Sequence, residues 1–222
     1  MLKIITLFKR QKGMSLADFE RHWVHEHAPK VCRLPNLRRY VQTQTIASGY
    51  QKGEPAIDGC AELWFDDTAA LRALSTGSAL KAVLADEVNL MDPASRCEII
   101  TEDVVIKDGR IPAQGVKNIE LVVRRPDLAP ADFHRYWIET HGPLGGAIPQ
   151  VHRYVQSHTR LAAYRDGRQP ALDGVALTWF DDTTAMRAAA LTPEYARTRA
   201  DEHNFLTEPL SFVIARERVM LG

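Results

Sequence analysis

The chain has 222 residues, 45% of them apolar and 25% charged, with 28 basic residues against 28 acidic ones. Zero net charge gives no electrostatic footprint for nucleic acid or an anionic membrane, so the expected partner is a small, weakly charged molecule. No stretch approaches the roughly 20 apolar residues of a membrane span, and MLKIITLFKRQKGMS lacks a signal-peptide pattern, so the expected location is the cytoplasm.

Leu2–Lys9 alternates and is rich in Ile and Leu, which predicts a strand. After Gly13, Ser15 and Asp18 form a capping-box pattern that opens a helix. Phe19, Trp23 and His27 recur at i, i+4 and i+8 on one face of it, and Pro29 is expected to stop it. Arg39–Thr45 alternates strictly and reads as a second strand, Cys60–Phe65 as a third. Asp66-Asp67-Thr68 supplies an N-cap for a helix over roughly Ala69–Val83. Glu98–Ile106 reads as a fourth strand, and Lys107–Val116, KDGRIPAQGV, as a linker.

The order then starts again. Ala17–Thr45 returns 114 residues later as Ala131–Thr159, and Asp58–Ala73 returns 115 residues later as Asp173–Ala188. The second copy has a strand at Ile119–Arg125, the stripe Phe133, Trp137 and His141 before Pro143, the cap Asp181-Asp182-Thr183, and a last strand at Ser211–Val219. Each copy reads βαββαβ, the order of a ferredoxin-like module. The expected fold class is α+β: two ferredoxin-like modules packed sheet to sheet as an intrachain α+β barrel, since one sheet cannot bury both its faces. The expected boundaries are a module over 1–107, a linker over 108–116 and a module over 117–222. The cysteines, Cys32, Cys60 and Cys97, lack zinc-like spacing and read as reduced, buried thiols.

Candidate chemistry gathers on the helix stripe and the second strand. His27 and His141 sit on the apolar stripe at a helix end, where an imidazole can act as acid or base or cap the last carbonyls. Tyr40, Gln42 and Gln44 share one strand face, as do Tyr154, Gln156 and His158, and such a face makes a better ligand wall than a dry core. Trp23 and Trp137 extend that wall. Trp64 and Trp179 read mainly as sheet core and secondarily as ligand contacts. Glu62, replaced by Leu177 in the second copy, is expected to reach the imidazole if its strand face turns to the cavity, making the first site the working one. His22, His25 and His27 do not match a zinc motif, and Tyr136 and Glu139 replace the first two, so no metal is expected. GxGxxG, P-loop, GxSxG and CxxC patterns are absent, and no cofactor is expected.

The words Asp18-Phe19-x-Arg21-x-Trp23-x3-His27-Ala28-Pro29, Leu37-x-Arg39-Tyr40-Val41-Gln42 and Ala61-Glu62-Leu63-Trp64-Phe65-Asp66-Asp67 resemble the EthD family of dimeric α+β barrel proteins. Asp132-Phe133-x-Arg135-Tyr136-Trp137-x3-His141-Gly142-Pro143, Arg153-Tyr154-Val155-Gln156 and Trp179-Phe180-Asp181-Asp182 resemble it again. The resemblance implies sheet-face pairing, here within one chain, and places the family's helix-end histidine at His27 and His141 and its strand tyrosine at Tyr40 and Tyr154. It implies a superfamily containing cofactor-independent isomerases, dehydratases and cyclases, quinol-forming monooxygenases and haem-handling proteins. The expected function is a cofactor-independent lyase or isomerase acting on a small cyclic compound. The alternatives are a non-catalytic binding protein and a haem-binding or oxygen-using barrel. Homodimerisation stays open.

Overall fold

The computed structural model describes residues 1–51, 53–74 and 77–222. The chain divides into two compact units, Met1–Ile100 with Glu217–Gly222, and Thr101–Arg216. Both boundaries fall within eleven-residue strands, β4 (Cys97–Lys107) and β8 (Ser211–Leu221).

In the first unit β3 (Gly59–Phe65) pairs antiparallel with β1 (Leu2–Phe8) and with β2 (Arg39–Thr45), Trp64 lying opposite both Lys3 and Arg39. The alternation of β1 and β3 sends Phe8, Ala61 and Phe65 into a core with Phe19, Trp23 and Val31 of the covering helices. The aromatic rings pack edge-on or stacked, with Trp23 5.2 Å from both Phe8 and Phe19. A Cβ at Gly59 would come within 2.7 Å of the Phe8 ring and 3.0 Å of the Trp23 ring, so only glycine permits this approach.

The first helix begins as the capping pattern requires: Asp18 N–H donates to Ser15 Oγ at 3.1 Å. It does not stop at Pro29. It runs as α1 (Leu16–His22), a π-helical turn (Trp23–His27) and α2 (Ala28–Val31). Proline lacks an N–H and its ring crowds the carbonyl four residues back. The wider turn absorbs this, with Ala28 N–H donating to Trp23 O, five residues back. The second copy repeats the device in α5 (Pro130–Tyr136), a π-turn (Trp137–His141) and α6 (Gly142–Gly146).

The second covering segment also departs from expectation. It forms two helices, α3 (Thr68–Leu74), capped by Asp67, and α4 (Ser78–Leu90), which runs seven residues past Val83. The expected helix passes over Ser75 and Thr76, which lie outside the described residues.

The second unit is an antiparallel sheet ordered β4, β6 (Arg153–Thr159), β7 (Gly174–Phe180), β5 (Val116–Val122), β8. It is covered by α5, α6, α7 (Thr183–Ala189) and α8 (Pro193–Asp201). The core is Phe133, Trp137, Tyr154, Phe180 and Phe205 with their aliphatic neighbours. Each copy is therefore α+β and ferredoxin-like. Among the described residues no helix is long and apolar enough to cross a membrane.

Candidate functional site

The π-turn turns His27 inward, and α4 brings a carboxylate to meet it. His27 Nδ1 lies 2.8 Å from Asp86 Oδ2, with both residues buried. His22 Nε2 approaches the same oxygen at 3.2 Å, and Lys30 Nζ donates to Oδ1 at 3.1 Å. Burial raises the Asp86 carboxyl, but the bonds from His27, Lys30 and His22 outweigh it and hold it below the usual carboxylate range. An ionised Asp86 can only accept, so His27 carries its proton on Nδ1 and presents Nε2 as a lone pair. Burial is also the main reason the imidazole's pKa falls below 6.5, which keeps it neutral at pH 7. His27 is the N-cap residue of α2, but its ring makes no capping bond there.

Tyr40 is fixed with equal definition. Its hydroxyl accepts from Gln42 Nε2 at 2.9 Å and from the Trp23 indole. An oxygen engaged by two donors directs its own hydrogen elsewhere, and that hydrogen meets no acceptor among the described residues. Burial, above all, pushes the phenol well above 10, so it remains a donor throughout the physiological range. Gln42 spends its other N–H on Trp23 O at 2.9 Å, so one amide ties the π-turn to the tyrosine.

His27 and Tyr40 line the same cavity, of about 80 Å³, between the sheet and its helices. Phe8, Trp23, Leu63 and Leu80 make its walls apolar. Leu84, 45% exposed, marks the side on which it opens outward. A charged group closes another side: Arg96 bonds Glu98 at 2.6 Å and Glu87 at 3.3 Å, and Thr6 donates to Glu98 at 3.3 Å. Burial raises the Glu87 carboxyl against the opposing pull of Arg96.

The remaining candidates separate by strand face. Trp23 lines the cavity; Gln42 stands behind it, and Gln44 is partly buried further along β2. Glu62 does not reach the imidazole. It points to the opposite sheet face, where it pairs with buried Lys3 at 3.1 Å, because β3 turns Ala61 and Leu63 to the cavity. Trp64 lies on that face too, under Lys3 and Arg39. Trp179 does the same under Lys117 in the second unit.

The second unit repeats the dyad. His141 Nδ1 lies 2.9 Å from Asp201 Oδ2, while Tyr136 donates to Asp201 Oδ1 at 2.6 Å. Tyr136 stands at the place of His22 but bonds the carboxylate oxygen that the histidine does not use. Tyr154 accepts from Trp137 Nε1 at 3.2 Å and Gln156 Nε2 at 3.0 Å. Phe205, standing where the first copy has Leu90, packs its ring 4.6 Å from His141. His158 lies against Trp137 at 4.4 Å and donates through Nε2 to Gln156 Oε1 at 3.0 Å.

Asp86 and Asp201 escape the sequence reading, although a signal exists. Ala85-Asp86-Glu87-x-Asn89 returns as Ala200-Asp201-Glu202-x-Asn204, a third repeated block at the 115-residue offset. Ending the second helix near Val83 leaves it unread.

A ferredoxin-like unit with a helix–sheet cavity holding a histidine and a tyrosine defines a protein of the α+β barrel class. The particular family follows from the sequence: the EthD domain profile matches residues 11–94 and again 125–209, so the chain belongs to the EthD family and carries the domain twice. An anthrone oxidase-like protein shares the fold at 10% identity, covering 99% of this chain and 93% of its own, with a TM-score of 0.64. A protein from Lactobacillus acidophilus provisionally described as a monooxygenase matches at 12% identity, with coverage of 98% and 94% and a TM-score of 0.57. One from Fusobacterium nucleatum, described likewise, matches at 8% identity, with coverage of 99% and 92% and a TM-score of 0.58. No curated protein matches the sequence.

Proposed function

We propose that the first unit's cavity receives a small, neutral, largely apolar compound and that His27 removes a proton from it, as in cofactor-independent lyase or isomerase chemistry. The observation that carries this is the pairing of opposite capacities on one cavity: a lone pair on His27 Nε2, held by Asp86, and a hydrogen on Tyr40 that has no acceptor among the described residues. An enolisable carbonyl uses both. Its α-proton passes to His27 Nε2 while Tyr40 donates to the developing enolate oxygen, an interaction strengthened by the dry surroundings. Asp86 then faces an imidazolium, which its charge stabilises until the proton is returned. At about 80 Å³ the cavity holds the reacting end of such a compound, and the rest extends past Leu84.

The haem reading does not fit this site: a cavity of that size is several-fold below the 300 Å³ or more of drug-sized ligand sites. An oxygen-using reading is supported by the neighbours described as monooxygenases and anthrone oxidase-like. The enolate formed by the same proton removal is electron-rich enough to react with dioxygen, and oxygen uptake separates the two courses. The first test needs no natural substrate. Incubated in D2O with 2-tetralone, the protein should speed deuterium entry at the α-carbon, and His27→Ala should lose that effect. Binding of the ketone without exchange would support a non-catalytic binding protein instead.

A further inference from the structure

The first unit's cavity has a polar wall that neither His27 nor Tyr40 uses. Thr6 of β1, Glu87 of α4, and Arg96 and Glu98 around the start of β4 all line it. Glu98 Oε2 accepts twice, from Arg96 at 2.6 Å and from Thr6 at 3.3 Å. Its other oxygen, Oε1, takes no hydrogen bond from a described residue. Arg96 Nε lies 3.3 Å from Glu87 Oε2, so one guanidinium serves two carboxylates on this wall. The sheet register sets the wall apart from the reacting groups. Thr6 lies opposite Ala61 of β3, which lies opposite Gln42 of β2, so β3 separates Thr6 from Tyr40. Two inter-strand spacings put the two backbones roughly 10 Å apart. A fused two-ring skeleton bridges what remains between the side chains.

We propose that Glu98, held by Arg96 and Thr6, is a specificity residue that selects a substrate carrying a neutral hydroxyl group remote from its enolisable carbonyl. This rests on the placement of that carbonyl at Tyr40 in the reading above. Tyr40 is fully buried, and its hydroxyl hydrogen, which has no acceptor among the described residues, fixes one end of the ligand. The hydroxyl at the other end donates to Glu98 Oε1, and a hydrogen bond to a carboxylate is stronger than one between neutral groups. An anionic substituent would face two carboxylates against one guanidinium. An ammonium group would lose its water among Phe8, Leu63 and Leu80. An ether in the hydroxyl's place has no hydrogen to give and leaves the carboxylate oxygen covered without a partner.

The test is calorimetric binding of the full chain at pH 7 to 2-tetralone and to its 6-hydroxy and 6-methoxy derivatives, with deuterium exchange measured on the same ligands. The wild type should bind the hydroxy compound about tenfold more tightly than the methoxy one, or better. Glu98→Ala should bring that ratio to within about twofold by weakening the hydroxy compound alone, and should exchange plain 2-tetralone as the wild type does. Glu98→Gln, which keeps a neutral acceptor, should retain an intermediate preference. The loss in Glu98→Ala belongs in KM for the hydroxy compound, with kcat for its exchange little changed. Equal binding of the two derivatives by the wild type, or a preference that survives Glu98→Ala, would overturn the proposal. A hydroxyl preference that depends on Glu98 in a protein that exchanges none of the ketones would support the selection by Glu98 and refute proton removal by His27.

Discussion

Asp86 reaches His27 from α4 at 2.8 Å, 59 residues along the chain, and accepts from the one ring nitrogen that faces away from the cavity. The same relationship recurs between Asp201 and His141 at 2.9 Å. A carboxylate in this position does for the imidazole what a third group does in a nucleophile–base pair: it selects the tautomer and steadies the charge that forms.

Asp86→Asn should therefore impair proton transfer far more than ligand binding. An amide can donate to Nδ1 and so reverse the tautomer, moving the lone pair away from the cavity. A loss of about 10²–10⁴-fold in catalysed exchange is expected, with the ketone's binding constant changed little. Imidazole ¹⁵N shifts in the variant would show the tautomer directly, and an unchanged shift pattern with an unchanged rate would refute the orienting role.

The two glutamines should differ in structural weight. Gln42→Leu removes two donors, from Trp23 O and Tyr40, and should cost about 1–3 kcal/mol in urea unfolding. Gln156→Leu removes the corresponding pair and also strips His158 Nε2 of its partner. It should cost more than Gln42→Leu. Equal costs would mean that the His158 contact contributes nothing.

Stability should fall on acidification from just below neutrality. His158 is held by burial, with His134 adding to it, at a pKa of about 3 against 6.5 unfolded. Between those values the unfolded chain binds the extra proton, so stability is lost as pH falls below 6.5. At pH 5 this residue alone accounts for about 2 kcal/mol. His27, His134 and His141 are lowered by burial in the same direction. His158→Gln, the counterpart of Gln44, should flatten the pH 7 to pH 5 decline in urea midpoints by about that amount.

The fragment Met1–Lys107 should be less stable than the intact protein. The first compact unit includes Glu217–Gly222, which that fragment lacks, and Thr101–Lys107 belongs to the second unit, paired with β6. A fragment that stays monomeric and matches the full chain's urea midpoint would contradict this.

The fold was legible because alternation, caps and the repeat agree at every level. Arg39–Thr45 spans β2 as read, and Asp67 and Asp182 cap their helices. What escaped did so for local physical reasons. Pro29 carries a stop signal that a π-turn overrides, which buries His27 instead of leaving it at a helix end. The length of α4 decided whether Asp86 came into view. Strand parity put Glu62 with Trp64, but which face meets the helices depends on tertiary packing. His27 and Tyr40 were legible as a pair, while their orienting partners, Asp86 and Gln42, needed the fold to show what each one bonds.

The most direct measurement is the pH profile of solvent deuterium entry into 2-tetralone, taken in parallel on the wild type, His27→Ala and His141→Ala. Because burial lowers the His27 pKa below 6.5, the wild-type rate should rise through one ionisation below that pH and stay level through neutrality. His27→Ala should abolish the protein-dependent rate, and His141→Ala should retain most of it. A His27→Ala protein that binds the ketone and exchanges it at the wild-type rate would contradict the assignment of His27 as the proton-transfer group.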